Sequence, residues 1–525
     1  MTALHSPPGL PGTSLNAARR AREMAAVAER GRVDLLVVGG GVTGAGVALD
    51  AASRGLSVVL AERHDLASGT SRWSSKLVHG GLRYLARGEV GIAYESAAER
   101  GLLMARLAPH LTRPLPMIYP WGPGAGPGSR ALTGAGLAAA DVLRRMAGTR
   151  RGTLPGPRRL TRAEVMAIMP QLRRDVSGGW LAWDGQLTDD ARLVLVIART
   201  AAGFGAVILT RCAASGLTGH GATLTDGLTG ESFQLRARAV VNAAGVWAGQ
   251  LAEGVRLRPS RGTHLVLADA AFGGLRAGLI VPVPGAHNRF VFALPVPGEP
   301  RVYAGLTDEP ADGPVPDVPE PSQDEIAFLL SAVGGPLATP LGPGDVLGAF
   351  AGLRPLLAGQ QPGGPTADLS RRHAVLTSPD GIVTVVGGKL TTYRRMARDA
   401  VDTALPGRPA GPSRTARLPL AGAAPARALT RIPAPPGLVA RYGTEAPLVH
   451  GLAVRDPALA APVGDGLRTT AAEFAFAVAH EGALDPGDLL DRRTRIGLVP
   501  GDRRRALDAA VRALGAQSVP DHGQS

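Results

Sequence analysis

The sequence predicts an α/β fold: a parallel sheet opened by a βαβ unit, interleaved with an antiparallel β domain and followed by a C-terminal α-helical domain. Three observations predict it. The run "VDLLVVGGGVTGAGVALDAASRGLSVVLAER", from Val33, reads as a buried strand, a glycine turn, an alanine-rich helix and a second apolar strand. The stretches "THLVLAD", "RFVFALPV" and "RVYAGLTD" are β-rich and punctuated by Pro and Gly, as in an antiparallel sheet. Past residue 434, "VARYGTEAPLVHGLA", "TTAAEFAFAVAHEG" and "RRALDAAVRALGA" carry helical periodicity instead.

In chain order, residues 1–31 start rich in Pro, Gly and Ser and turn Ala/Arg-rich, which predicts a disordered or helical N-terminal arm. Residues 32–405 hold two interleaved domains. One takes about 32–120, 185–250 and 350–405, because "ARAVVNAAGVWAG" and "GIVTVVGGKLTTYRRMARDAVDTAL" each show an apolar run breaking at Gly or Ala. The other takes about 121–184 and 251–349. Residues 406–433 have linker composition, and 434–515 form the helical module. A chain of 525 residues is long enough for two or three such domains.

Composition narrows the function classes. The single cysteine, Cys212, excludes an intrachain disulfide and a cysteine-cluster metal site, so no metal is expected. No 18 apolar residues run together, and the first 32 residues lack the apolar core of a signal peptide, which predicts a cytoplasmic protein without a spanning helix. The net charge is +14, yet the arginines are scattered rather than gathered into a basic stripe, which argues against nucleic acid. Such a charge attracts anionic substrates or an acidic lipid surface. Only two of the 57 basic residues are lysines, Lys76 and Lys389. These two places are read as needing a compact ammonium that a planar guanidinium cannot replace.

Gly39, Gly41 and Gly44 form G-x-G-x-x-G between a strand and a helix. The first glycine turns tightly, the second lets a pyrophosphate approach the backbone, and the third packs helix on strand. Glu62 stands at the end of the next strand, where a carboxylate accepts from a ribose hydroxyl and repels a 2′-phosphate. At this point NAD and FAD both remain open.

The stretch "HDLASGTSRWSSKLVHGGLRYL" (64–85), with "LTDDARLVL", "RGTHLVL", "AGLRPL", "SRRHAVL" and "GGKLTTYR", resembles the FAD-dependent glycerol-3-phosphate dehydrogenases, in order over most of the chain. The resemblance implies a flavin-binding domain of the glutathione-reductase/D-amino-acid-oxidase type, an antiparallel substrate domain and a helical C-terminal domain. It implies FAD, oxidation of sn-glycerol 3-phosphate to dihydroxyacetone phosphate, and a peripheral seat on the cytoplasmic face of the inner membrane with quinone as acceptor. Relatives that use oxygen leave an oxidase as the alternative, and a catalytically inactive flavoprotein paralogue is a further one. The C-terminal domain is assigned either to homodimer formation or to meeting the membrane. The segment 121–159, with its Leu/Ala helix and basic end, is read as touching lipid or as a packed surface helix.

A phosphate monoester needs clustered or forked cations. Arg83 with Tyr84, and Arg371, match family substrate-site positions and are expected on the phosphate; Arg354 is expected nearer the reacting carbon, stabilising developing charge on its oxygen. Removing a hydroxyl proton calls for a base opposite the flavin, and His264 in the inserted β domain is the candidate. Thr70, Ser71, Ser74, Ser75 and Lys76 are expected along the ribityl chain and pyrophosphate, with His79 in the flavin pocket and Ala244 and Gly245 on the adenine side. Gly387 and Gly388 would let the last turn approach the ring, Thr391 would help open the following helix, and Lys389 would bridge toward substrate.

Overall fold

The computed structural model describes residues 10–85, 88–283, 289–358, 372–407 and 411–516. Strand Arg32–Val38 lies central in an eight-stranded sheet, with Ser232–Asn242 on one side and Val58–Ala61 on the other, all parallel. Val207–Leu209 and Val383–Val386 extend it outward in the same sense. Antiparallel Ala374–Thr377 forms one edge, and the hairpin Cys212–Thr218 with Gly221–Asp226 pairs onto Ser232–Asn242. Leu35 and Val37 point into a core shared with helices Val42–Ser53, Asp190–Gly203 and Tyr393–Ala404. Leu36 and Val38 point the other way, into a core with Met24 and Val27 of helix Ala17–Arg30. Burial on both faces explains why this strand is apolar without alternation.

The second sheet has ten strands among the described residues. Ser260–Ala268 lies between Arg301–Gly305 and Val346–Arg354, both antiparallel to it. The sheet continues through Phe290–Pro295, Gly278–Pro282, Thr112–Pro120 and Gly178–Leu187 to Leu77–Val78. Helices Gln323–Gly334 and Arg162–Ile168 cover one face; the other bounds a large cavity. Each of these helices opens with a capping box, Ser322 with Glu325 and Thr161 with Glu164.

The strands cross between the sheets more often than the expected boundaries. Leu77–Val78, Thr112–Pro120 and Val346–Arg354 pair in the antiparallel sheet, although most of these residues fall in segments expected in the cofactor domain. Sheet membership depends on partners distant in sequence, which apolar content alone does not encode. The described part of the N-terminal arm carries a docked helix: Asn16 caps Ala17–Arg30, Gly31 ends it at φ +62°, and buried Arg20 pairs with Asp226 at 2.5 Å. The linker-like segment packs too, with Leu420 and Ala421 buried and bonded to Leu107 and Thr200.

Helices Pro436–Tyr442, Ala446–Arg455, Ala471–His480 and Pro500–Gly515 make up the C-terminal domain. Buried ion pairs join it to the first domain: Arg192 with Glu481, Arg199 with Glu445, and Arg492 and Arg493 with Asp65. Burial opposes charge on Asp65, yet the two guanidinium groups hold it well below the usual carboxylate range. Among the described residues no helix is long and apolar enough to cross a membrane.

Candidate functional site

A cavity of about 1130 Å³ runs between the carboxyl ends of the parallel strands and the open face of the antiparallel sheet. That is where α/β sheets bind ligands. Its glycine wall leaves no room for side chains. A Cβ on Gly39, whose φ is +110°, would lie 2.7 Å from the Ala243 carbonyl oxygen, and one on Gly44 would lie 1.8 Å from the Gly39 oxygen. Gly41 precedes helix Val42–Ser53 and faces the cavity, so the helix N-terminus is open to a ligand anion.

Ser71 Oγ accepts from the Val42 amide at 2.9 Å, filling one position of that helix end with protein. The Glu62 carboxylate accepts from the amides of Gly40 (2.6 Å) and His64 (2.7 Å) while lining the cavity. Burial raises its pKa, and these two bonds pull the other way. Ala244 and Gly245 line the same end. Thr70 donates to the Leu353 carbonyl at 2.7 Å, which ties the cofactor-side loop to the strand that ends in Arg354.

At the far end, Gly387 and Gly388, at φ +73° and +71°, bring the backbone to the cavity edge ahead of Lys389. A Cβ on Gly388 would meet Met396 Sδ at 2.5 Å. Thr391 lines the cavity from the first turn, and its buried Oγ1 has no hydrogen-bond partner among the described residues. The Lys389 ammonium donates to Ser96 Oγ at 2.7 Å and lies 3.6 Å from the centre of the buried Tyr84 ring. His79 lines the wall nearby, as do Arg100 and Asp184, paired at 2.6 Å. Arg371 and the Arg83 side chain lie outside the described residues.

The reactive-looking centre is on the antiparallel sheet. His264 stands directly opposite Gly305 on one neighbouring strand and Phe350 on the other. Its ring stacks on Phe350 (4.8 Å, 8°), and its Nε2 shares a 2.9 Å hydrogen bond with Ser75 Oγ. Gly305 makes space for it, since a Cβ there would lie 2.5 Å from His264 Cδ2. Two residues earlier on the same face, Gly262 makes space for Arg354, whose guanidinium would lie 2.2 Å from an added Cβ. Arg354 is held by Ser260 Oγ, Asp308 and the Thr307 carbonyl, each at 3.2 Å. Burial first, then the positive charges of Lys76 and Arg354, lower the His264 pKa well below the usual 6.5, so at neutral pH the ring is uncharged and able to take a proton.

One expectation is corrected. Lys76 does not line the cavity: its ammonium is buried, bonded to the Arg72 and Ser74 carbonyls and to Asp190 at 3.1 Å, and it lies 4.4 Å from the Phe350 ring centre. Asp190 also takes the Ser74 hydroxyl and amide, so Ser74 is anchored to protein although it borders the cavity. Ser75, expected on the cofactor, is bonded to His264. The residues that sequence reasoning missed, Gly262, Gly305 and Asp308, carry one usable signal: a glycine opposite a polar residue in an otherwise apolar strand marks a side chain lying flat.

Residues 34–394 match the family described as FAD dependent oxidoreductase, and residues 413–519 match the C-terminal domain of alpha-glycerophosphate oxidase. The chain is 55% identical over 520 residues to "Glycerol-3-phosphate dehydrogenase 1" of Mycobacterium tuberculosis (strain ATCC 25618 / H37Rv), covering 95% of this chain and 98% of that one. It is 36% identical over 522 residues to "Glycerol-3-phosphate dehydrogenase 2" of the same strain, covering 93% and 85%. Among solved structures, the glycerol-3-phosphate dehydrogenase from Bacillus halodurans complexed with FAD superimposes with a TM-score of 0.74 at 28% identity, covering 96% of this chain and 94% of that one.

Proposed function

We propose, from the premise that this chain belongs to the FAD-dependent oxidoreductase family, that it oxidises sn-glycerol 3-phosphate to dihydroxyacetone phosphate and passes the electrons to a quinone. The observation that carries the reading is the placement of His264 and Arg354 on one sheet face, both lining the cavity that the glycine turn also lines. Bound FAD supplies a two-electron acceptor.

The chain's own residues do the rest. Gly39 and Gly41 would leave the backbone bare for the FAD pyrophosphate, Gly44 packs the helix against the glycine turn, the turn at 387–388 and Thr391 would hold the flavin ring, and Glu62 the ribose. His264 takes the proton of the substrate C2 hydroxyl through Ser75, whose hydroxyl gives its own proton to Nε2 and accepts the substrate's in its place. Arg354 stabilises the charge that develops on that oxygen as the carbonyl forms. Arg83, Tyr84 and Arg371 are assigned to the phosphate, and Lys389 to bridging between ring and substrate.

Anaerobic mixing of the holoenzyme with glycerol 3-phosphate tests this: the flavin absorbance should bleach, and no bleaching with FAD bound would sink the assignment. The acceptor is read separately, by the peroxide formed per substrate oxidised in air against reduction of a soluble quinone. Near-stoichiometric peroxide with a quinone ignored would make the enzyme an oxidase. A peripheral seat on the membrane is supported by exposed Leu132, Val142 and Met146 on helix Pro127–Met146, beside Arg145. Sedimentation with anionic vesicles checks it.

A further inference from the structure

The turn at 495–499 reaches out of the C-terminal domain and lies directly behind His264. Arg495 adopts a left-handed backbone, φ +63°, rare for a residue with a side chain, and its side chain is buried. Its guanidinium donates to the Arg72 carbonyl and to the Asp491 carbonyl (2.7 Å), and lies 3.7 Å from Asp190 and 5.5 Å from the Trp73 ring centre. Asp190 in turn holds Ser74 and Lys76, and the loop between them presents Ser75 to His264. The next residues of the turn, Leu498 and Val499, pack in one apolar cluster with Phe350, the ring on which His264 stacks. The backbone there is so close that a Cβ on Gly348 would lie 2.1 Å from the Leu498 oxygen.

From this geometry we infer that the C-terminal domain is part of the catalytic apparatus, with Arg495 as a positioning residue that fixes the loop 72–76 and, through Ser75, the direction of the His264 imidazole. The inference rests on the proposed oxidation of glycerol 3-phosphate by His264. Arg495 touches neither the cavity nor His264, and it acts through Ser75 and through the balance of charge behind the ring. The charged groups bearing on His264 are Lys76 from the loop, Asp190 from helix Asp190–Gly203 and Arg354 from strand Val346–Arg354. Arg495 offsets Asp190. Without it the carboxylate favours the imidazolium more strongly, and His264 holds its proton to higher pH.

The test is Arg495→Gln, assayed per bound flavin. We expect kcat to fall about tenfold or more with KM within twofold, and the acid limb of the pH profile to move up by several tenths of a pH unit. Arg495→Lys should return the limb to its original position. Ser75→Ala, at the other end of the path, should give a similar fall in kcat, and the double variant should be no slower than the worse single one. Titration of the His264 ring by NMR in histidine-labelled holoenzyme reads the same shift without substrate, so a wrong substrate is distinguished from a wrong role for Arg495. The inference is overturned if Arg495→Gln loses FAD or melting temperature while kcat per bound flavin and the His264 titration stay unchanged. If Arg495→Gln fails to fold, an unchanged kcat in Ser75→Ala overturns it equally.

Discussion

Replacing Gly262 by alanine adds a single methyl group at the one place where it must displace Arg354. The new Cβ would lie 2.2 Å from Arg354 Nη2, 2.8 Å from Cζ and 3.0 Å from Nη1. Ordinary contact begins at about 3.5 Å, so the guanidinium has to retreat by roughly 1 Å. Its bonds to Ser260, Asp308 and Thr307 are all 3.2 Å, at the long end of the useful range, and such a shift breaks them. The folding cost is small, because the obstacle is the end of a long side chain and Gly262 does not have a positive φ. The catalytic cost is the loss of one aimed donor, about 10²–10³-fold in turnover, or about 2.7–4 kcal/mol. Stopped-flow reduction of the flavin by glycerol 3-phosphate measures it, with FAD content and melting temperature as controls. Arg354→Ala should be as slow, and the double variant no slower than either. A Gly262→Ala enzyme that reduces its flavin within threefold of the parent rate would refute the placement of Arg354 at the reacting oxygen.

Lys389→Arg keeps the charge but forces a planar fork into the space between Ser96 and the Tyr84 ring, so turnover should fall by about tenfold; near-normal kinetics would remove the case for an ammonium there. Because the His264 pKa is held below 6.5, kcat/KM should be flat near pH 7 and decline only as the pH drops through that lowered value; an acid limb above pH 7 would point to another base. Gly44→Ala should yield protein with little or no FAD and a lowered melting temperature, since the methyl meets the Gly39 carbonyl oxygen at 1.8 Å; flavin absorbance per polypeptide checks it.

What the sequence disclosed, and what it hid, follows the reach of each interaction. The glycine turn is local, and so Gly39, Gly41 and Gly44 could be assigned from spacing, strand and helix within a few dozen residues. Lys389 stands out by its rarity among arginines and His264 by its motif, and both line the cavity. Lys76 was equally rare, yet its ammonium turns away from the cavity because its partner, Asp190, lies on a helix more than a hundred residues further on. Ser75 reads as one small hydroxyl among several; only the register of a strand 189 residues away places it on a histidine. Thr112–Pro120 carries alternate prolines that resemble a loop, and its pairing with Gly178–Leu187 makes it a strand.

The scarcity of lysine also makes the protein easy to address chemically. A reagent selective for primary amines meets two side-chain targets in the whole chain. One of them, Lys76, is 2% exposed and paired with a carboxylate, so in the folded state it is shielded from acylation. The other borders the cavity. Apart from the terminal α-amine, acylation of the native protein therefore reports on the interior of one cavity rather than on the surface, and any ligand that fills the space beside Tyr84 registers as protection at a single peptide.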